Sequence, residues 1–124
     1  RILAENFLTR AGRWERVNYR TGNAQDLLAD TLGVFDIVYN DVLKPQYPET
    51  WLQAKDRVRP GGLYIADNVL WSGRVAEDDG QRSDGTEAIR SHNELISADP
   101  DFDTVIHPVR DGILVARKRD VEGS

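Results

Sequence analysis

Two short apolar runs constrain this chain more than any other feature. FDIVYND (35–41) and GLYIADN (62–68) are nearly continuous in apolar, β-branched and aromatic residues, the pattern of strands covered on both faces. The first ends at Asp41 and the second at Asp67 and Asn68. Between them Trp51, Leu52, Lys55 and Val58 fall at helical spacing ahead of RPGG (59–62), which predicts a helix ended by that Pro-Gly punctuation. Strand, helix and strand in this order predict a parallel pair joined by a crossover, with both carboxyl ends on one sheet edge, about 5 Å apart.

The flanking segments continue the alternation. Ile2, Leu3, Phe7 and Ala11 recur at helical spacing and stop at Gly12, so a helix is expected to about residue 11. RVNYRTG (16–22) reads as a short strand, and Asn23 as the cap of a helix whose face is Ala24, Leu27, Leu28 and Leu32. Residues 72–85 turn to Gly, Asp, Ser and Arg, the chemistry of a surface loop. Asp84 and Glu87 then have the spacing of a reciprocal cap on a helix presenting Ala88, Ile89, His92, Leu95 and Ile96. FDTVIHPV (102–109) and GILVARKR (112–119), joined by Arg110 and Asp111, predict an antiparallel hairpin. The fold class expected is α/β, in one domain.

Composition narrows the chemistry. Without cysteine there is no disulfide framework, thiol nucleophile or Cys-bound zinc, and with only His92 and His107 any metal has to be held by oxygen. A net charge of −5 lacks the broad basic face of a nucleic-acid binder. No apolar run reaches the roughly 18 residues that cross a bilayer, and the N-terminus has no signal core. A cytoplasmic protein with a small-molecule partner, and neither nucleic acid nor membrane, is expected.

At the shared sheet edge Asp41, Asp67 and Asn68 converge. Three hard oxygen donors suit Mg²⁺ or a similar divalent ion, and ligands of open α/β sheets bind at this edge. The same residue types also serve simply as helix caps and turn formers after strands.

The longer segments FDIVYNDVLKPQYPETW (35–51), RPGGLYIADNVLWSGRV (59–75) and HNELISADPDFDTVIHPVRDGILVARK (92–118) together resemble the cation-dependent class I O-methyltransferases, which include the catechol and caffeoyl-CoA enzymes. The resemblance implies a Rossmann-like sheet, mostly parallel with the antiparallel C-terminal hairpin. It implies S-adenosylmethionine and Mg²⁺, or another divalent cation such as Mn²⁺ or Ca²⁺, as cofactors, a catechol-like aromatic acceptor, and a homodimer. Residue by residue, Asp41, Asp67 and Asn68 fall on the metal ligands, Lys44 on the catalytic base, and Trp71 near the acceptor pocket. Lys44 and Asn68 also face the acceptor, while Gly22, Ala24 and Asp41 fall on cofactor-side positions. Leu43 stands where many members carry a second acid, a departure expected to affect acceptor specificity or packing. The implied reaction has the acceptor hydroxyl lose its proton to Lys44 and attack the sulfonium methyl in line.

The family's Gly-rich strand-turn and its ribose-binding acid are not matched. Residues 1–124 are therefore expected to begin about halfway through the cofactor-binding half of a single methyltransferase domain, with FDIVYND left as an apolar edge. The other reading of such a chain is a non-catalytic module for metal binding or dimerisation.

Overall fold

The structure is a computed structural model in which residues 2–70 and 84–120 are described. In chain order the elements are α1 (Ile2–Arg10), α2 (Ala24–Asp30), β1 (Phe35–Asn40), α3 (Tyr47–Ala54), β2 (Val58–Asp67), α4 (Asp84–Ser97), β3 (Phe102–His107) and β4 (Ile113–Lys118). Short 3-10 turns at Trp14–Arg16, Lys44–Gln46 and Lys55–Arg57 join them.

The four strands form one sheet in the order β1-β2-β4-β3. β1 and β2 run parallel, as the strand-helix-strand pattern predicts, and β4 pairs antiparallel with both β2 and β3. Helices α3 and α4 lie on one face. Tyr47, Trp51 and Ala54 of α3 and Ile89 and Ile96 of α4 pack on Tyr64, Ala66, Leu114, Ala116 and Phe102 to form the core. Trp51 sits edge-on to both Tyr64 and Phe102, with ring centroids 4.9 and 4.8 Å away, the arrangement aromatic quadrupoles favour.

Several elements differ from expectation for identifiable reasons. The helix after Lys44 ends at Ala54, and Val58 already belongs to β2, so RPGG lies inside the strand rather than after the helix. There the pairing with β1 slips between Phe35 and Ile37. Gly62 is needed at the slip, because a Cβ would stand 2.8 Å from the carbonyl oxygen of Asp36. RVNYRTG forms no strand among the described residues. Asn23 caps α2 as expected, accepting from the Asp26 amide at 3.1 Å, but Leu32 lies beyond the helix and is exposed. Among the described residues β1 is an edge strand covered on one face only, with Ile37 and Tyr39 more than half exposed. The expected surface loop lies mostly in residues 71–83, outside the described residues, as does Trp71.

Candidate functional site

Parallel pairing places Asn40 opposite Ala66, so the residues that leave the two strands, Asp41 and Asp67, emerge side by side. The chain then turns differently at each. After β1 it enters the 3-10 turn that starts at Lys44 and leads directly into α3. After β2 it bends at Asn68, whose φ of 61° is left-handed, a region that costs energy for a residue with a Cβ and needs outside support. That support is visible. The Asn68 amide donates to Asp67 Oδ1 at 2.7 Å, and its Nδ2 donates to Asp111 Oδ2 at 3.1 Å. The Val69 and Leu70 amides donate to the carbonyls of Gly112 and Asp111 at 3.2 and 2.6 Å. Gly112 has no room for a side chain because Leu70 packs against its Cα.

Lys44 is the centre of the cluster. Its Nζ donates to Asp41 Oδ1 at 3.2 Å, to Tyr47 Oη at 2.9 Å and to Asn68 Oδ1 at 3.0 Å, and it lies 4.7 Å from the centroid of the Tyr47 ring. The lysine side chain is largely buried, whereas that of Asp41 is half exposed. Tyr47 in turn donates to the Asp67 carbonyl at 2.7 Å. Burial raises the Tyr47 phenol well above its ordinary range, with the Asp41 and Asp67 carboxylates adding to the effect, so Tyr47 stays a neutral hydroxyl that both accepts and donates. Tyr39 donates to Asp67 Oδ2 at 3.2 Å from the other side.

The donor set bears on whether a divalent cation fits. The ammonium of Lys44 already bridges Asp41 Oδ1 and Asn68 Oδ1, so positive charge is accommodated between these two oxygens. Two carboxylates and a carboxamide are hard donors of the kind Mg²⁺ prefers. Among the described residues no group of three His, Cys, Asp or Glu side chains is gathered for a metal, so the carboxamide of Asn68 is essential to the set.

The structure thus brings Asp41, Lys44, Asp67 and Asn68 together. Gly22 and Ala24 lie elsewhere, exposed where α2 begins. That helix is tied to α3 by bonds from Gln25 to Thr50 and from Gln53 to the Gln25 carbonyl. Tyr47, an aromatic that the sequence already offers for lining a pocket or an interface, and Asp111 also belong to the cluster. Asp111 read only as part of a tight hairpin connection, and no spacing rule connects it with Asn68, 43 positions away.

A family model described as O-methyltransferase matches residues 1–119. The chain belongs to the O-methyltransferase family. It is 33% identical over 108 residues to a catechol O-methyltransferase of Niastella koreensis, a match covering 84% of this chain and 48% of that protein. Two solved structures share the fold of this O-methyltransferase chain. The O-methyltransferase of Bacillus cereus in complex with SAH is 30% identical with a TM-score of 0.83, and TomG of Streptomyces achromogenes in complex with SAM is 27% identical with a TM-score of 0.83. Each of those matches covers 94% of this chain and 56% of the other. The chain therefore spans about half the length of the relatives it matches. No helix among the described residues is long and apolar enough to cross a membrane.

Proposed function

We propose that this chain carries the metal and acceptor side of an S-adenosylmethionine-dependent O-methyltransferase for aromatic vicinal diols. The observation that supports it most is the Lys44 amine held against Asp41 and Asn68 at the carboxyl ends of two parallel strands. In this reading Asp41, Asp67 and Asn68 hold a divalent cation. Bound there, the cation acidifies a hydroxyl that it contacts, and S-adenosylmethionine supplies the methyl group.

The chain's own residues do the rest. Lys44, in its neutral form, accepts the acceptor's proton at Nζ. The resulting ammonium has oxygen partners in place, Asp41 and Tyr47 among them. Tyr47 cannot take over as base, because burial keeps its phenol protonated. Its hydroxyl instead fixes Nζ against the Asp67 backbone. Asn68 orients the acceptor side, its carboxamide locked by Asp111. Tyr39 holds one oxygen of Asp67 and so sets the direction of that carboxylate. The catechol acceptor is supported by the relative from Niastella koreensis, and the methyl donor by the SAM and SAH complexes of the two solved relatives.

The test is methyl transfer to a vicinal diol by the complete protein. Lys44→Ala is expected to lower kcat by about 10²–10⁴, and Asp67→Ala to abolish the Mg²⁺-dependent methyl transfer. Full activity in EDTA would sink the reading.

A further inference from the structure

A continuous line of buried and part-buried hydrogen bonds runs beneath the candidate site and joins its two oxygen-bearing turns. It begins at the amide of Val42, the residue after Asp41, which donates to Asn40 Oδ1 at 3.1 Å. Asn40 Nδ2 donates to the Tyr64 hydroxyl at 2.8 Å, and that hydroxyl lies 2.8 Å from His92 Nε2. His92 Nδ1 lies 3.0 Å from Asn93 Oδ1, and Asn93 Nδ2 donates at 2.8 Å to the carbonyl of Val69, the residue after Asn68. Asn40 is 3% exposed, and Tyr64 and His92 are 0% exposed.

Only one arrangement of protons satisfies every atom of this line. The Tyr64 oxygen accepts from Asn40, so its own hydrogen goes to His92 Nε2. The imidazole is then neutral, carries its proton on Nδ1 and donates to Asn93. A second proton on the ring would face the Tyr64 hydroxyl donor to donor. Burial, which pushes the imidazole down to about 4, acts in the same sense, with the Asn93 bond opposing it.

We propose that Asn40, Tyr64, His92 and Asn93 form a positioning relay that sets the turn bearing Asp41 against the turn bearing Asn68. None of the four is placed to touch reacting atoms; they act through the backbone at Val42 and Val69. An apolar quartet of similar shape would fill the same volume, but it would not commit each backbone group to one partner, and buried polar networks impose that kind of uniqueness when fully satisfied. The left-handed Asn68 makes the need concrete, since bonds from outside its turn help to hold it. The inference rests on the reading of Asp41, Asp67 and Asn68 as cation ligands.

The experiment is Mn²⁺ binding followed by electron paramagnetic resonance on the complete protein, at a temperature where near-ultraviolet dichroism shows each variant folded. Tyr64→Phe keeps the ring against Trp51 and deletes the shared hydroxyl, and Asn93→Ala cuts the far end. Each is expected to raise the Mn²⁺ Kd about tenfold, the scale of effects seen for residues that orient metal ligands. The double variant is expected to bind no more weakly than the weaker single one, because both cut one line. Wild-type affinity in folded Tyr64→Phe and Asn93→Ala would overturn the relay, as would fully additive losses. If Tyr64→Phe does not fold, Asn93→Ala alone decides in the same way. If the wild type binds Mn²⁺ no better than Asp67→Ala, the cation reading itself fails, and the relay with it. Binding by the wild type that the relay variants leave unchanged sinks the relay alone.

Discussion

The two faces of the sheet are made by the same strands and read almost alike in sequence, yet they live in different surroundings. Toward α3 and α4, Tyr64, Ala66, Leu114 and Ala116 are completely buried. On the opposite face Ile37, Tyr39 and Val105 are each more than half exposed. Alternation along β1 shows the contrast within one element, since Val38 packs on the core while its neighbours Ile37 and Tyr39 do not. Apolar residues on both faces of a strand report that both faces need cover; they do not say which helices provide it. The candidate site draws on both sides. Lys44 and Tyr47 reach Asp41, Asn68 and the Asp67 backbone from the α3 side, while Tyr39 reaches the Asp67 carboxylate along the open face.

The comparison is broken most sharply by removing the centre of the covered face. Trp51 is 1% exposed and touches the rings of Tyr64 and Phe102. Trp51→Ala is expected to lower the unfolding free energy by about 3–5 kcal/mol, through lost burial and the cavity left behind. Urea denaturation at neutral pH measures it. A loss below about 1 kcal/mol would mean that α3 does not organise the core.

Acid should also find the covered face first. His92 is fully buried, and its imidazole is lowered from about 6.5 to about 4, chiefly by burial. The unfolded chain therefore binds a proton at a higher pH than the folded one. Stability from this group is complete above about pH 6.5 and declines as pH falls towards about 4, by on the order of 3 kcal/mol. Asp99 and Asp103 act in a separate window, since both are held below the usual carboxylate range and their contributions fade only in stronger acid. Burial works against the shift of Asp99, and its bonds to Lys55 and to the Asp101 backbone outweigh it; the Arg119 bond leads for Asp103. Unfolding free energies at pH 7 and pH 4.5 test this, and His92→Phe is expected to flatten the difference between them.

How far these contrasts could be read from residues alone varies with the kind of signal. The parallel pair, the hairpin, α1 and the cap at Asn23 follow from local periodicity and turn chemistry, which act within a few residues. Asp41, Asp67 and Asn68 could be placed together because strand direction alone sets where parallel strands end. RPGG was misplaced because Pro and Gly punctuate helices and also permit strand bulges, and only the pairing with β1 distinguishes the two. RVNYRTG has strand composition but no pairing partner among the described residues, and a strand exists only through its partner. The Asn40, Tyr64 and His92 contacts could not be foreseen, because each spans at least 24 positions and isolated polar residues in apolar runs carry no period.

Away from both faces, the cap of α2 should show an intermediate effect. Asn23 accepts from the Asp26 amide at the surface, and α2 contributes little to the core beyond Leu28. Asn23→Ala is expected to cost about 1 kcal/mol. The expected signature is faster hydrogen exchange confined to Asp26 and its neighbours, and protection lost across β2 instead would contradict it.

The smallest effect belongs to the open face and sharpens the comparison most. Ile37 is 56% exposed on β1 and has no helix over it among the described residues, so Ile37→Ser removes apolar surface that water already reaches. In the chain of residues 1–124 the expected cost is about 0.5 kcal/mol, several times less than a buried isoleucine would show. The same substitution in a protein of the relatives' full length reads out whether further chain covers this face. A cost rising to about 2–3 kcal/mol there, with the shorter chain unchanged, would mean that the apolar character of Ile37, Ile65 and Val115 is matched to a second layer. Equal small costs in both would mean that the face stays open. The apolar run of β1 would then answer to strand propensity and cross-strand pairing with β2 rather than to burial on both sides.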